Sequence, residues 1–373
     1  MAAPTIANFG GFELRRGAHC ASIVAGNTVL LLKHAENWRE YFEIRKQDRL
    51  TLFISNAEAI KKEFTWQYAE TKRLAALLYA QKNKAVDSEA IQRCYDLIKQ
   101  NTGIFSTFRG NLGLCVATLL SLSPNPQGLF DETLKVYDLL KEEKFHASDY
   151  LVIAAYQIAA QSNSANYIKA VTRARDFYNG MKARHFFITG QDDYIYAVML
   201  GLSDLDVTMV VERVEKLHDQ LKGSVWDKNS VQALAQILVL GGSDEETISR
   251  VLALKNALRA QAIKLDKSDT LPVLGIFALL PVEIDKIVTD ISDAQTYLRG
   301  QKGFGSLSVS TQELLLFASS IVAGEYAQDL RNGFLTAAIT TSITNIIIAQ
   351  EVAIITMIAA SGAVISAASS SST

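Results

Sequence analysis

Tyr150-Leu-Val-Ile-Ala-Ala-Tyr-Gln-Ile-Ala-Ala160 runs eleven residues without a charged side chain. A helix of this composition has no polar face and must be enclosed by other helices. Leu112-Gly-Leu-Cys-Val-Ala-Thr-Leu-Leu120 reads the same way. Outward from these two, related apolar segments recur along the chain. Aligned on one small or packing position they read Ala75-Ala-Leu-Leu, Ala117-Thr-Leu-Leu, Ala155-Tyr-Gln-Ile, Ala197-Val-Met-Leu, Ala235-Gln-Ile-Leu, Gly275-Ile-Phe-Ala and Phe317-Ala-Ser-Ser. Successive starts are 42, 38, 42, 38, 40 and 42 residues apart. A period near forty marks stacked helical hairpins, each unable to bury its apolar face alone.

Between the apolar segments lie amphipathic ones. Asp131-Glu-Thr-Leu-Lys-Val-Tyr-Asp-Leu-Leu-Lys-Glu-Glu143 places Leu134, Tyr137 and Leu140 at helical spacing. These segments share an ending: Lys99, Lys141, Lys182, Lys222, Arg259 and Arg299 each fall in or near a last turn, where a cation meets the negative end of the helix dipole. Ser148-Asp149, Asp192-Asp193, Asn229-Ser230, Ser268-Asp269 and Ser310-Thr311 precede the apolar helices as cap residues. The expected fold is all-α, with about seven αα-hairpin repeats of roughly forty residues forming a curved α-solenoid or an α/α toroid. The connections that lead into the apolar helices should share one rim.

Three segments are expected. Residues 1–35 do not fit the repeat and read as an irregular N-terminal arm or a short hairpin. Residues 36–330 form the repeat domain, with a charged capping helix running to about Trp66. Residues 331–373 make an apolar Ala/Ile/Ser/Thr-rich helix and a serine tail. From Gly333 onward the single charge is Glu351, whose insertion cost at mid-span argues against a membrane helix. Packing on the last repeat, or self-association through residues 333–373, is the expected role.

The formal net charge of −2, with both signs interspersed, argues against nucleic acid as a partner. Cys20, Cys94 and Cys115 are too far apart for a zinc site and odd in number for a disulfide framework. No metal or cofactor is implied. Met1 to Asn8 lacks the pattern of a secretory signal, so a cytoplasmic location is expected.

Two connections carry more chemistry than capping needs. Asn101-Thr-Gly-Ile-Phe-Ser-Thr-Phe-Arg-Gly-Asn111 offers Arg109 and Asn111 just before a buried helix, a setting suited to an anionic ligand. Met181-Lys-Ala-Arg-His-Phe-Phe-Ile-Thr-Gly-Gln-Asp-Asp-Tyr194 offers His185, Asp192 and Asp193 as a candidate catalytic acid, base and orienting group. Ordinary structural roles also account for both sets: Asn111 as a helix cap with Arg109 paired to a neighbouring carboxylate, and Asp192 as a cap with Asp193 in the first turn and His185 near the preceding helix end. Gly300-Gln-Lys-Gly-Phe-Gly305 lacks the spacing of a P-loop and the strand before it, so its glycines read as turn residues. His19, His34, His146 and His218 are dispersed.

Phe105-Ser-Thr-Phe-Arg-Gly-Asn111, Tyr137-Asp-Leu-Leu-Lys-Glu-Glu143, His185-Phe-Phe-Ile-Thr-Gly-Gln-Asp-Asp-Tyr194 and Lys302-Gly-Phe-Gly305 resemble a bacterial family known only as a domain of unknown function, found mainly in low-GC Gram-positive bacteria. The resemblance covers roughly residues 50–330. It departs at Phe186, where family members more often have proline. It implies one continuous domain and brings no activity, cofactor or site residue. The leading functional expectation is a helical-repeat binding or scaffold protein that takes a protein segment or a small anionic ligand on its concave face or rim. An α/α-toroid enzyme using Asp192 or Asp193, His185 and Arg109 is the alternative, and a tail-driven self-assembling or membrane-associated protein is the third.

Overall fold

The computed structural model describes residues 7–9, 12–17, 20–25, 28–32, 34–185, 187–223, 228–242, 245–267 and 270–331, with side-chain surroundings beginning at Phe42. The expected apolar tail, the Ser268-Asp269 cap and Phe186 lie outside the described residues.

The chain begins with four strands, β1 (Ala7–Phe9), β2 (Phe12–Gly17), β3 (Cys20–Ala25) and β4 (Thr28–Leu32). They form an antiparallel meander in sequence order. Glu13 pairs with Val24 and Ala21 with Leu32. The expectation over 1–35 was an irregular arm or a short hairpin, and the β3–β4 pair is such a hairpin within a larger sheet. The difference has a local cause, since the β3 and β4 sequences are rich in β-branched and other apolar residues. Gly26-Asn27, a dipeptide suited to a two-residue hairpin turn, separates them.

From His34 onward the described chain is all-α. The odd-numbered helices are α1 (His34–Glu63), α3 (Ser88–Asn101), α5 (Pro126–Glu142), α7 (Tyr167–Arg184), α9 (Val207–Leu221), α11 (Glu245–Ala260) and α13 (Ile284–Arg299). The even-numbered helices are α2 (Ala69–Gln81), α4 (Gly113–Ser121), α6 (Asp149–Gln161), α8 (Tyr194–Gly201), α10 (Lys228–Leu240), α12 (Leu271–Leu279) and α14 (Thr311–Arg331). The apolar segments are the even helices. Every residue of α8 is buried, as are Gly113–Leu120 of α4 and Leu271–Ala278 of α12. Odd helices bury a single stripe: Ile91, Cys94, Tyr95 and Ile98 in α3, and Phe130, Thr133, Val136 and Leu140 in α5.

The sequence suggests units that begin with the apolar helix and turn at Pro124-Asn-Pro126, Asp204-Leu-Asp206 and Gly241-Gly-Ser-Asp244, but the pairing has a different phase. Each amphipathic helix packs most closely on the apolar helix that follows it, α1 on α2, α3 on α4, and so on to α13 on α14. The short turns after the even helices serve as starts for the next odd helix instead. Asp87, Asn125 and Asp206 accept hydrogen bonds from the first-turn amides of α3, α5 and α9. Arginines then tie odd helices to the ends of even ones. Arg173 of α7 donates to the Gly201, Ser203 and Leu205 carbonyls beyond α8, and Arg250 of α11 donates to those of Leu280 and Val282 beyond α12. These bonds satisfy carbonyls that a helix end leaves unpaired.

The last helices return to the first. Helix α14 packs on α1 and α2 as well as on α13, and α13 also touches α1. Charges that α1 buries find their partners there. Arg49 Nε lies 2.5 Å from Glu325 Oε1, and Arg49 Nη2 donates to Gln328 at 2.7 Å. Lys46 Nζ reaches Asp290 at 3.0 Å and Glu43 at 2.5 Å. Asp290 also accepts from Lys286 at 2.7 Å and from the Tyr326 hydroxyl. Burial pushes the Asp290 carboxyl up, but its bonds from Lys286, Tyr326 and Lys46 prevail and hold it below the usual carboxylate range. Arg73 of α2 pairs with Glu313 at 2.7 Å. Phe42 stacks on Tyr326 at 4.8 Å, and Phe53 meets Phe304 and Phe317 at 5.4 and 5.1 Å.

Two substitutions test this arrangement. Glu325 is wholly buried, so Glu325→Ala leaves the Arg49 cation without its carboxylate and should destabilise the fold by about 3–5 kcal/mol; an unchanged urea midpoint would contradict the role assigned to this pair. At Gly201 an added Cβ would lie 2.7 Å from both Ala170 O and Ala174 N. Because those atoms are α7 backbone, Gly201→Ala should lower the melting temperature, at a cost of about 1–3 kcal/mol, whereas Gly303→Ala, which meets nothing within 4 Å, tests only the strain of its positive φ.

Candidate functional site

The connection between α7 and α8 is folded by its own backbone. His185 O accepts from the Ile188 and Thr189 amides, at 3.1 and 3.0 Å. Asp193 then occupies the N-cap position of α8, but its side chain makes no cap bond to that helix. It turns back to the Gly190 amide, 2.9 Å from Oδ2. Gln232 and Gln236 of α10 donate their side-chain amides to Oδ1 at 2.8 and 3.1 Å. Gln232 also exchanges contacts with Thr189 Oγ1, and Gln236 lies 2.8 Å from Met181 Sδ. One buried carboxylate thus joins the α7–α8 connection to α10.

Asp193 is 2% exposed. Burial, reinforced by the charge of Asp192, pushes its carboxyl up to about 7, although the Gln232, Gly190 and Gln236 donors favour the charged form. Chemically this is a group that exchanges a proton near neutrality while shielded from water. In the same connection, the imidazole of His185 lies 4.5 Å from that of His218, at 45°. His218 is buried in α9, and its Nδ1 is 3.9 Å from Asp219. Asp192 is half-buried and acts on Asp193 through its charge.

The other candidate pair lies elsewhere. Arg109 donates to the Lys99 and Thr102 carbonyls and, through Nε, to Thr102 Oγ1 at 3.0 Å. The guanidinium therefore closes the C-terminus of α3. Asn111 precedes Leu112, the N-cap residue of α4, which makes no side-chain cap bond. Its own carbonyl faces Thr71 Oγ1 at 3.5 Å. Among the described residues no hydrogen bond or ion pair links Arg109 or Asn111 to His185 or Asp193. The structure thus joins Asp193 to two residues the sequence reading passed over, Gln232 and Gln236. Their signal was present as two amides four apart in an otherwise apolar helix. Among the described residues no group of three or more His, Cys, Asp and Glu gathers as a metal site, and no helix is long and apolar enough to cross a membrane.

The signature of DUF4003, a family described as proteins of unknown function, matches residues 56–352. The chain belongs to the DUF4003 family. The match runs from the middle of α1 through every later helix and past the end of α14. This DUF4003 protein is similar to the uncharacterized protein YeaA of Bacillus subtilis (strain 168), with 24% identity over 334 residues, 86% of this chain and 95% of the relative. No solved structure matches it.

The node makes a prediction about pH. With a folded value of about 7 against an ordinary 3.8, the Asp193 carboxyl holds its proton longer folded than unfolded. Its ionisation penalty is absent below pH 3.8, grows as pH rises, and is complete above about 7. This component should therefore make the protein more stable at pH 6 than at pH 8. Asp193→Asn should abolish that component and, by turning an amide toward the donors, lower stability by about 1–3 kcal/mol at pH 6. Equal pH slopes for both proteins in urea unfolding would remove Asp193 as the titrating group.

Proposed function

We propose that this DUF4003 protein is a cytoplasmic helical-repeat binding protein. In this reading its seven αα pairs curl into a closed α/α ring, whose rim or concave face recognises a protein segment or a small anionic ligand. The observation that carries it is the seating of α14 on α1 and α2. Contacts from α2 to α4, from α6 through α8, α10 and α12 to α14, and from α14 back to α2 support a single inner layer. Contacts between α1, α3, α5, α7 and α9, and between α11, α13 and α1, support an outer one. With even helices buried nearly all round, the interior is filled by the protein's own side chains. Recognition then falls to the rim built from the odd-to-even connections, including 102–112, 185–193 and 300–310. Buried free thiols at Cys94 and Cys115 agree with a reducing compartment.

Acid–base chemistry at the α7–α8 connection is a second reading, favoured by the raised value of Asp193 and by the His185–His218 pair. It requires the connection to open, because Asp193 is out of reach of a substrate as it stands.

Small-angle scattering tests the ring. A compact 373-residue particle has a radius of gyration of about 21 Å, and an elongated profile well above that would rule out closure. Amide exchange tests the site. A ligand that raises the melting temperature should slow exchange in the three connections named above. Slowing confined to the outward faces of α5, α7 and α9 would move recognition off the rim. Exchange of the Gly190 amide far faster than that of the α8 core would favour the second reading.

A further inference from the structure

Where α1, α2 and the α13–α14 connection meet, a cleft of about 800 Å³ opens, within the size range of small-molecule sites. Its charged lining is Lys61 and Lys62 from α1, Lys72 and Arg73 from α2, Lys302 from the connection, and one carboxylate, Glu58. Arg73 is neutralised from behind by Glu313 at 2.7 Å and Glu70 at 3.4 Å. The four lysines make no hydrogen bond or ion pair among the described residues. Several helix lysines elsewhere form ion pairs with a carboxylate three residues earlier, as in Lys99–Asp96, Lys135–Glu132, Lys141–Asp138 and Lys222–Asp219. Lys61 has Glu58 at that spacing, yet it forms no such pair among the described residues, in a chain whose net charge is −2.

The convergence is built by the fold. Lys302 is held on the lip because the next two residues are fixed. Gly303 takes φ +87°, a region open to glycine. Phe304 is buried against Phe53, and its carbonyl accepts from Arg299 at 2.8 Å. Arg299 also ties down Val309 O at 2.9 Å. Across the cleft Lys72 is half-buried. Burial first, then the charges of Lys61 and Arg73, lower its ammonium below the usual lysine range. Like charges crowded into a concavity are relieved by an anion, and the low-dielectric walls strengthen that attraction. Ammonium groups act as point charges without the fork geometry of arginine. They suit clustered phosphate oxygens better than one planar carboxylate.

We propose that this cleft binds a small ligand carrying two or more adjacent phosphate groups. The proposal rests on the anionic-ligand form of the function above and gives it a location and a chemical class. A nucleoside triphosphate and free polyphosphate share this chemistry.

Titration calorimetry of the full chain with tripolyphosphate, ATP and orthophosphate tests it. Tripolyphosphate should bind, weaken as salt is raised, and exceed orthophosphate by roughly tenfold or more. ATP binding more tightly than tripolyphosphate would assign a nucleotide, and the reverse would assign polyphosphate. Lys72→Ala with Lys302→Ala should weaken binding by roughly tenfold per lysine removed, while Lys302→Arg should retain it. Circular dichroism checks that the variants fold, and Lys302→Glu, altering an exposed side chain alone, gives the same answer if the Lys72 change disturbs packing. No binding by any of the three probes, or undiminished binding by the double variant, overturns the proposal. If tripolyphosphate still binds the double variant and slows exchange in other rim connections, the cleft is wrong while rim recognition stands.

Discussion

The structure depends on α1 having its buried charges met by helices from the opposite end of the chain. Lys46 and Arg49 are almost fully enclosed, and a cation in that position is tolerable only with a close, well-bonded anion. Glu325 and Asp290 supply it, and both carboxylates are themselves buried. Such pairs add little net stability over an apolar contact, yet breaking one is expensive. Their effect is selective. A shift of α14 by one residue along α1 would separate Arg49 from Glu325 and leave two uncompensated charges, whereas an apolar seam would tolerate it. Stacking of Phe42 on Tyr326 fills the same seam and adds shape to the charge match.

The basic cleft follows from that seam. Glu313 faces Arg73 because α14 has come back to α2, and the same return sets the α13–α14 connection beside the end of α1. Asp290, Glu313 and Glu325 are committed to buried pairs, and the four lysines at the surface of the junction form no ion pair among the described residues. Interior neutralisation and an exposed positive lip both accompany the packing of α14 on α1 and α2.

The sequence disclosed what is local and periodic. Seven apolar segments are the even helices, the capping role of Ser148 is met by its bond from the Leu151 amide, and Ser310 receives the Glu313 amide likewise. What stayed hidden is set by partners far away in the chain. Nothing near Lys46 announces Asp290, 244 residues on. The partners that Arg109 finds, the Lys99 and Thr102 carbonyls and the Thr102 hydroxyl, have no signature in the residues around it. Asp193 was visible as a cap residue, but its buried state depends on Gln232 and Gln236, which read as neutral positions of a buried helix. The phase of pairing was hidden too, because a stripe of four apolar residues does not say which neighbour it will cover.

The order in which the chain is made gives the seam a kinetic meaning. Helix α1 leaves the ribosome some 250 residues before its counter-charges in α13 and α14 are available. Until then Lys46 and Arg49 must remain hydrated, so the face of α1 that finally meets α14 cannot close early. At synthesis rates of about 5–20 residues per second, that interval lasts tens of seconds. The intermediate pairs can assemble on local contacts during it, but the seam between α1 and α14 must wait until α14 has been made. That pairing is a long-range step.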